Sequence, residues 1–222
     1  MRSHGPYRFG SFMLELATIA VAIVFMVPFY YLFVNSFKSF ADILTNTSGL
    51  PTAWIGDNYV QAWRIMQYPK ALFNSVLITV VGDIGIIMLA SMAAYRIVRH
   101  PSRFNQIVFL VFVASMIVPF QSIMIPLMKV MGTLDLLNSR FGLWVSYFGL
   151  GVSMAVFLFH GFIKTVPREL EESAVIDGCT SYGVFFRIVF PLLKPIVATV
   201  AILNALWIWN DFLLPFLLVN SN

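Results

Sequence analysis

The chain has 222 residues, of which 59% are hydrophobic and 11% are charged, whereas soluble globular domains carry about 25% charged residues. Its formal net charge is +4, and its single cysteine, Cys179, excludes an intrachain disulfide and a cysteine-based zinc site. This composition excludes an ordinary soluble enzyme and predicts an all-α integral membrane protein.

Five hydrophobic segments are long enough to cross a membrane as helices, which takes about 20 residues. The second segment is interrupted only by Asp83, and the fifth is broken at Asp211 and Pro215, so we expect its outer end to be a short extracytoplasmic piece. In chain order the segments are Leu16–Phe37, Ala71–Tyr95, Asn105–Met128, Phe141–Ile163 and Leu192–Leu218.

The proline residues inside the spans predict kinks, and the connection after the first span predicts an outer loop. Proline removes a backbone hydrogen bond, so we expect kinks at Pro28, Pro119 and Pro126. Such kinks can shape a cavity between helices, and they are also common in membrane helices in general. The connection Lys38–Lys70 is interpreted as an outer loop with a short interfacial helix near Asn58–Met66.

Asp83 is the unusual residue of the second span. A carboxylate in the middle of a membrane helix costs about 2.5–3.5 kcal/mol on insertion scales, so its side chain should face the protein interior. Two interpretations remain open at this point. Asp83 could relay protons in a secondary transporter, or it could form a hydrogen bond at a helix contact where Gly82 and Gly85 allow a close approach.

The lysine and arginine residues of the connections predict the orientation. Nine fall on one side of the five spans, including those of the segment 164–194, and five fall on the other. The richer side is expected to be cytoplasmic. The sequence therefore predicts a cytoplasmic N-terminus at residues 1–11, a transmembrane domain at 12–222, and a cytoplasmic loop at 164–194.

The segment 167–195 is polar within a mostly apolar chain and contains helix start and stop signals. Pro167 suits the first position of a helix, and Glu169 and the acidic residues after it favour the positive N-terminal end. Gly178 offers the positive φ that ends a helix. Thr180 or Ser181 can cap a second helix. The pattern predicts a helix, a tight turn and a second helix, with Pro191 and Pro195 starting or kinking the next span.

The first of these short helices needs a partner. Leu170, Ala174 and Val175 are expected on one side of it, but this apolar stripe is too small to form a core of its own. One interpretation is an amphipathic helix lying on the membrane surface. Interfacial helices favour lysine and arginine on their polar face, and this helix is acidic, which favours a protein groove instead.

The same segment resembles the EAA loop of permease subunits in bacterial ABC importers. The resemblance rests on Glu172-Ser173-Ala174, Gly178, and Ile188-x-x-Pro191 followed by Pro195. It implies the type I ABC importer permease bundle, in which this loop docks into a cleft of an ATPase subunit that binds ATP and Mg²⁺. The residues expected to couple to the ATPase are Glu171, Glu172, Ser173, Ala174, Asp177, Gly178, Tyr182, Phe185 and Pro191.

Further motifs, in order along residues 12–220, resemble carbohydrate importers of the maltose and multiple-sugar type, in particular the second, shorter maltose permease subunit. The resemblance implies an oligosaccharide as substrate, a second permease subunit, two ATPase subunits and an extracytoplasmic sugar-binding protein. Family members have six spans, so a sixth is expected beyond Asn222. The motifs are Asn58-Tyr59, Phe73-Asn74-Ser75, Ala93-Ala94-Tyr95-Arg96 with Arg99, Pro126-Leu127 with Leu136-Leu137-Asn138, and Trp207-x-x-Asn210-Asp211.

Aromatic and amide side chains of the spans are candidates for a sugar path, although tryptophan residues also gather at membrane interfaces and amides also bond neighbouring helices. No G-x-x-x-x-G-K-[ST] motif is present, so the chain is expected to hydrolyse no ATP itself. We expect no catalytic or metal site, no cofactor in this chain and no nucleic-acid partner. The path candidates are Asn74, Gln121, Asn204, Trp207 and Asn210.

Overall fold

The computed structural model describes residues 9–219. All regular secondary structure in this range is helical, which confirms the all-α prediction. The chain divides into two compact units, Met1–Ala71 and Leu72–Asn222. The predicted cytoplasmic N-terminus, with Arg2 and Arg8, lies mostly outside the described residues.

The first unit is built on one long apolar helix. Helix α1 spans Phe9–Ser36 and continues through Pro28, so the predicted kink does not interrupt it. Helix α2 spans Phe40–Thr45, and Ser39 caps it by accepting a hydrogen bond from the Asp42 amide. Helix α3 spans Asp57–Ile65 and confirms the short helix expected near Asn58–Met66. All residues of α3 are exposed to solvent.

Lys38 is completely buried in the loop that follows α1. Its ammonium donates hydrogen bonds to the carbonyl oxygens of Asn46 and Thr47. The Lys38 carbonyl in turn accepts a hydrogen bond of 2.8 Å from the Asn58 amide. A buried ammonium requires such partners, so Lys38 fixes the loop that carries α2 and α3.

Four helices follow along the chain, the first of which begins four residues before the second unit. Helix α4 spans Tyr68–Arg99, α5 Arg103–Ser115, α6 Phe120–Thr133 and α7 Arg140–Ile163. The predicted span Asn105–Met128 corresponds to two helices, α5 and α6, which meet at an angle of 108° at the predicted kink site Pro119. Pro119 explains the break, since it lacks an N–H and caps α6 with extended backbone.

Four further helices complete the second unit. Helix α8 spans Glu169–Ile176, α9 Ser181–Leu192, α10 Lys194–Asn210 and α11 Leu213–Leu218. Helices α9 and α10 meet at 76°. The predicted break at Asp211 is confirmed, whereas Pro215 lies inside α11.

Helix α7 lies at the centre of the second unit and packs against α5, α10 and α11. Tyr147, Val156 and Phe159 of α7 are completely buried. Glycine brings α4 close to its neighbours: a Cβ on Gly85 would lie 2.1 Å from the Phe148 ring, and one on Gly82 would lie 3.1 Å from Ile208. This confirms the expectation of close helix approach at Gly82 and Gly85.

Three helices are long and apolar enough to cross a membrane: residues Gly10–Ser36 of α1, then α4 and α7. The number rises to five if the bent pairs α5–α6 and α9–α10 each count as one span. The five predicted segments therefore correspond to three straight helices and two bent pairs within residues 9–219.

Candidate functional site

Two features of the second unit contain most of the residues predicted to be functional: the segment 164–194, called here the coupling segment, and a cavity between α5, α6, α7 and α10. The coupling segment contains α8 and α9. Helix α8 begins at Glu169, two residues later than the proline pattern predicted, because the carbonyl of Arg168 accepts the first helical hydrogen bonds from Glu171 and Glu172.

The turn after α8 has the conformation predicted from its glycine. Gly178 has φ +87°, and the amides of Gly178 and Cys179 donate to the carbonyls of Val175 and Ala174, at 3.0 Å each. These two bonds form a Schellman motif, which closes a helix through a left-handed residue. Thr180 then caps α9 by accepting a hydrogen bond from the Gly183 amide. The predicted helix, turn and helix are confirmed as local structure.

Helix α9 is wound as a π-helix over Phe185–Val189. Phe185 is buried, and its ring lies 5.2 Å from the ring of Tyr95 on α4. Pro191 is exposed near the end of α9, and Pro195 lies in the first turn of α10, at the 76° bend. The expectation that these prolines start or kink the last span agrees with this bend.

The exposed surface of the coupling segment includes two of the three residues of the predicted apolar stripe. Only Ala174 is buried, whereas Leu170 and Val175 are exposed. The outward surface also contains apolar side chains next to acidic ones: Ile176 is 86% exposed and Tyr182 is 71% exposed. Its exposed polar members are Glu172, Ser173 and Asp177.

Glu171 differs from its acidic neighbours because it is buried. Its carboxylate accepts hydrogen bonds from Arg99 Nε at 2.7 Å and from the Tyr95 hydroxyl at 2.8 Å. Arg99 Nη2 lies 2.6 Å from the same carboxylate and also donates to the Val166 carbonyl at 2.9 Å. Tyr95 and Arg99 thus bind α8 to the end of α4.

The cavity has a volume of about 580 Å³ and is lined by both aromatic and polar groups. Gln121 and Trp207, two of the five predicted path residues, line it together. The Trp207 ring packs edge to face on Tyr147 at 5.5 Å. Ser115 and Ser153, also in the lining, share a hydrogen bond of 2.7 Å.

The other three path candidates lie outside this lining. Asn74 accepts a hydrogen bond of 3.0 Å from Arg140, and Asn210 donates to the Leu206 carbonyl of its own helix at 2.7 Å. Asn204 is buried beside Asp83 between α10 and α4. Asp83 Oδ1 and Asn204 Nδ2 are both buried without a hydrogen bond of ordinary geometry.

Several residues of these sites were not predicted from the sequence. Arg99 was quoted only as part of a motif, and its pairing with Glu171 joins positions 72 residues apart. Ser153 and Tyr147 lie in an apolar run with no local polar signal, so nothing in the sequence marked them. Asp211 was expected to break the fifth span and was part of the Trp207-x-x-Asn210-Asp211 motif, but its place in the cavity lining was not predicted.

Comparison with known proteins places the chain in a family. Residues 86–222 match the family described as "Binding-protein-dependent transport system inner membrane component". The chain is 39% identical over 210 residues to the probable starch degradation products transport system permease protein AmyC of Thermoanaerobacterium thermosulfurigenes, covering 95% of this chain and 76% of that protein.

A second relative and a solved structure agree with this match. The multiple sugar-binding transport system permease protein MsmG of Streptococcus mutans is 37% identical over 206 residues, covering 90% of this chain and 73% of that protein. The crystal structure of a bacterial ABC transporter involved in the import of the acidic polysaccharide alginate shares the fold, with a TM-score of 0.79, 21% identity, and coverage of 98% of this chain and 78% of that one. The chain therefore belongs to the family of binding-protein-dependent transport system inner membrane components.

Proposed function

We propose that this chain is a permease subunit of an ATP-driven sugar importer, in which the coupling segment connects ATPase subunits to the membrane helices. The observation that carries the proposal is the α8–Gly178–α9 turn with its exposed outer surface. Ile176 and Tyr182 are mostly exposed there, next to Glu172. Apolar side chains with a charged rim are typical of a protein interface.

Eight of the nine predicted coupling residues have a place at the docking surface or in its support, and the ninth, Glu171, is buried against α4. Glu172, Ser173, Asp177 and Tyr182 lie on the exposed surface and would contact the ATPase. Ala174 and Phe185 are buried and would hold the two helices in place. Gly178 would set the turn through its positive φ, and Pro191 would set the entry into the last span.

The orientation belongs to the same proposal. An ATPase that binds ATP and Mg²⁺ works in the cytoplasm, so the coupling segment and residues 1–11 would lie on that side of the inner membrane. The excess of lysine and arginine on this side supports that orientation. The outer connections would then face the sugar-binding protein, and a second permease subunit would complete the path.

A sugar is the substrate class that the relatives favour, because one is named for starch degradation products and the other for multiple sugars. We propose an oligosaccharide and assign its contact in this chain to Gln121 and Trp207. An aromatic face beside a hydrogen-bonding amide suits a sugar ring, and both side chains line the cavity. Asn74, Asn204 and Asn210 would support neighbouring helices instead.

Co-purification of the full-length protein with its ATPase subunit tests the docking. The test variant is Glu172→Lys, which reverses an exposed charge at the docking surface. The matched control is Asp57→Lys, which reverses an exposed charge in the first turn of α3. We expect the wild type and the control to retain the ATPase subunit. The amount of ATPase subunit that co-purifies with Glu172→Lys should be at least tenfold lower. Equal retention by all three proteins would contradict the docking surface.

A further inference from the structure

The last turn of α4 is joined to the coupling segment by side-chain hydrogen bonds and by an ion pair. Tyr95 and Arg99 are four residues apart and therefore lie on the same face of α4. Both donate to the carboxylate of Glu171, so each of its oxygens is occupied. Arg99 also holds the Val166 carbonyl, in the connection between α7 and α8.

Burial distinguishes this contact from a surface ion pair. The side chains of Arg99 and Glu171 are 8% and 12% exposed. Exposed ion pairs are screened by solvent and add little to the stability of a protein. Removing one partner of a buried pair destabilises the folded protein strongly, because the other charge stays buried without a partner. Glu169 and Glu172, on either side of Glu171, are exposed. Glu171 is thus the acidic residue of α8 that is turned away from a docking partner.

Helix α9 reaches the same point on α4. The ring of Phe185 packs on Tyr95 at 5.2 Å, and Phe185 begins the π-helical part of α9. Tyr95 therefore contacts both helices of the coupling segment, one by a hydrogen bond and the other through its ring. A displacement of either helix would act on the end of α4.

We propose that Tyr95, Arg99 and Glu171 form a link that transmits movement of the coupling segment into α4, in addition to the covalent path from α9 into α10. Glu171 and Arg99 are positioning residues in this scheme, because they act through α4 rather than on ATP or substrate. The inference rests on the proposed function, since it needs an ATPase that moves the segment.

The test uses the complex of the full-length chain with its permease and ATPase partners in lipid nanodiscs. Nitroxide labels are placed by Leu89→Cys on α4 and Met154→Cys on α7, both at exposed sites, in a Cys179→Ser background. Pulsed electron paramagnetic resonance measures the distance between the two labels with and without ATP and vanadate. Retention of the ATPase subunit is measured in the same samples.

The decisive variant is the double replacement Arg99→Gln with Glu171→Gln. It leaves no unpaired buried charge, so it should fold where a single replacement is destabilised. The matched control is Arg96→Gln, which removes one positive charge from the same turn at an exposed position. We expect the double variant to retain the ATPase subunit and to lose at least half of the ATP-driven distance change, and the control to keep all of it.

The outcomes separate this inference from the proposed function. An unchanged distance shift in the double variant would overturn the link, while docking would stand. A wild-type complex that binds the ATPase but shows no shift on α4 would overturn it as well. If the wild-type chain fails to bind any ATPase subunit, the proposed function is wrong and the link falls with it.

Discussion

The hydroxyl of Tyr147 donates a hydrogen bond of 3.1 Å to the carboxylate of Asp211. Tyr147 is completely buried in α7, and Asp211 follows α10, where its other oxygen accepts from the amide of Leu213 at the start of α11. This one carboxylate therefore fixes the break between α10 and α11 against the central helix, on the wall of the cavity.

Replacing Tyr147 with phenylalanine should destabilise the protein without changing its packing volume much. Hydrogen bonds to charged groups contribute about 1.5–3 kcal/mol, and we expect a loss of that size. Unfolding of the purified protein in detergent measures it. Tyr182→Phe, at an exposed site, is the control and should leave stability unchanged. An equal loss in both variants would show that the Asp211 bond contributes nothing specific.

Gly142 and Gly149 provide a matched pair within α7. A Cβ on Gly142 would lie 2.0 Å from the backbone oxygen of Leu136, whereas one on Gly149 would meet nothing within 4 Å. We expect Gly142→Ala to cost about 3 kcal/mol or more, since backbone cannot move aside easily. Gly149→Ala should stay within about 0.5 kcal/mol of the wild type. Similar thermal midpoints for the two variants would contradict this close approach.

Gly178→Ala should weaken coupling through backbone strain alone, because a Cβ there meets nothing within 4 Å but φ is +87°. A non-glycine residue in the left-handed region costs about 1–2 kcal/mol. We expect less ATPase subunit to co-purify with Gly178→Ala than with the wild type. The larger replacement Gly178→Leu should abolish transport. The control is Gly161→Ala in α7, which also has open space around it. Normal transport by Gly178→Leu would remove the coupling assignment.

Trp207→Ala should impair sugar uptake more than Trp209→Ala. Both residues are on α10, but only Trp207 lines the cavity and packs on Tyr147. Trp209 is 50% exposed and serves as the control. Uptake of labelled maltotriose into proteoliposomes gives both KM and the maximal rate. We expect Trp207→Ala to raise KM at least fivefold at similar protein levels; equal KM values would count against this sugar contact.

Asp83→Asn should retain uptake that does not depend on pH. Asp83 lies beside Asn204 at the contact of α4 with α10, where an amide can take the place of the carboxylate. Uptake measured between pH 5.5 and 8 checks the expectation. Loss of all uptake with the complex still assembled would instead support proton-coupled transport through Asp83.

Local signals in the sequence predicted the local structure well. Gly178 and Thr180 each mark a turn or a cap within a few residues, and the structure uses both as expected. The predicted start of α8 was less accurate. The helix begins at Glu169 and not at Pro167, because a helix end depends on which carbonyl accepts the first hydrogen bond.

Features that depend on distant contacts were not predictable in the same way. Pro119 predicted a kink within residues 105–128, but nothing in the sequence indicated an angle as large as the 108° between α5 and α6. Of the predicted stripe Leu170, Ala174 and Val175, only Ala174 is buried within this chain, and the sequence alone did not indicate which of the three would be. The burial of Glu171 follows from Arg99, and no local pattern connects these two positions.

The separation of Arg99 and Glu171 along the chain also sets an order of events during synthesis. Arg99 closes α4, but its partner carboxylate is made 72 residues later. At about 5–20 residues per second, roughly 4–14 seconds pass between the two. Throughout that interval the guanidinium has no carboxylate from α8 to bind. The end of α4 therefore obtains this partner only after the central helix α7 has been made.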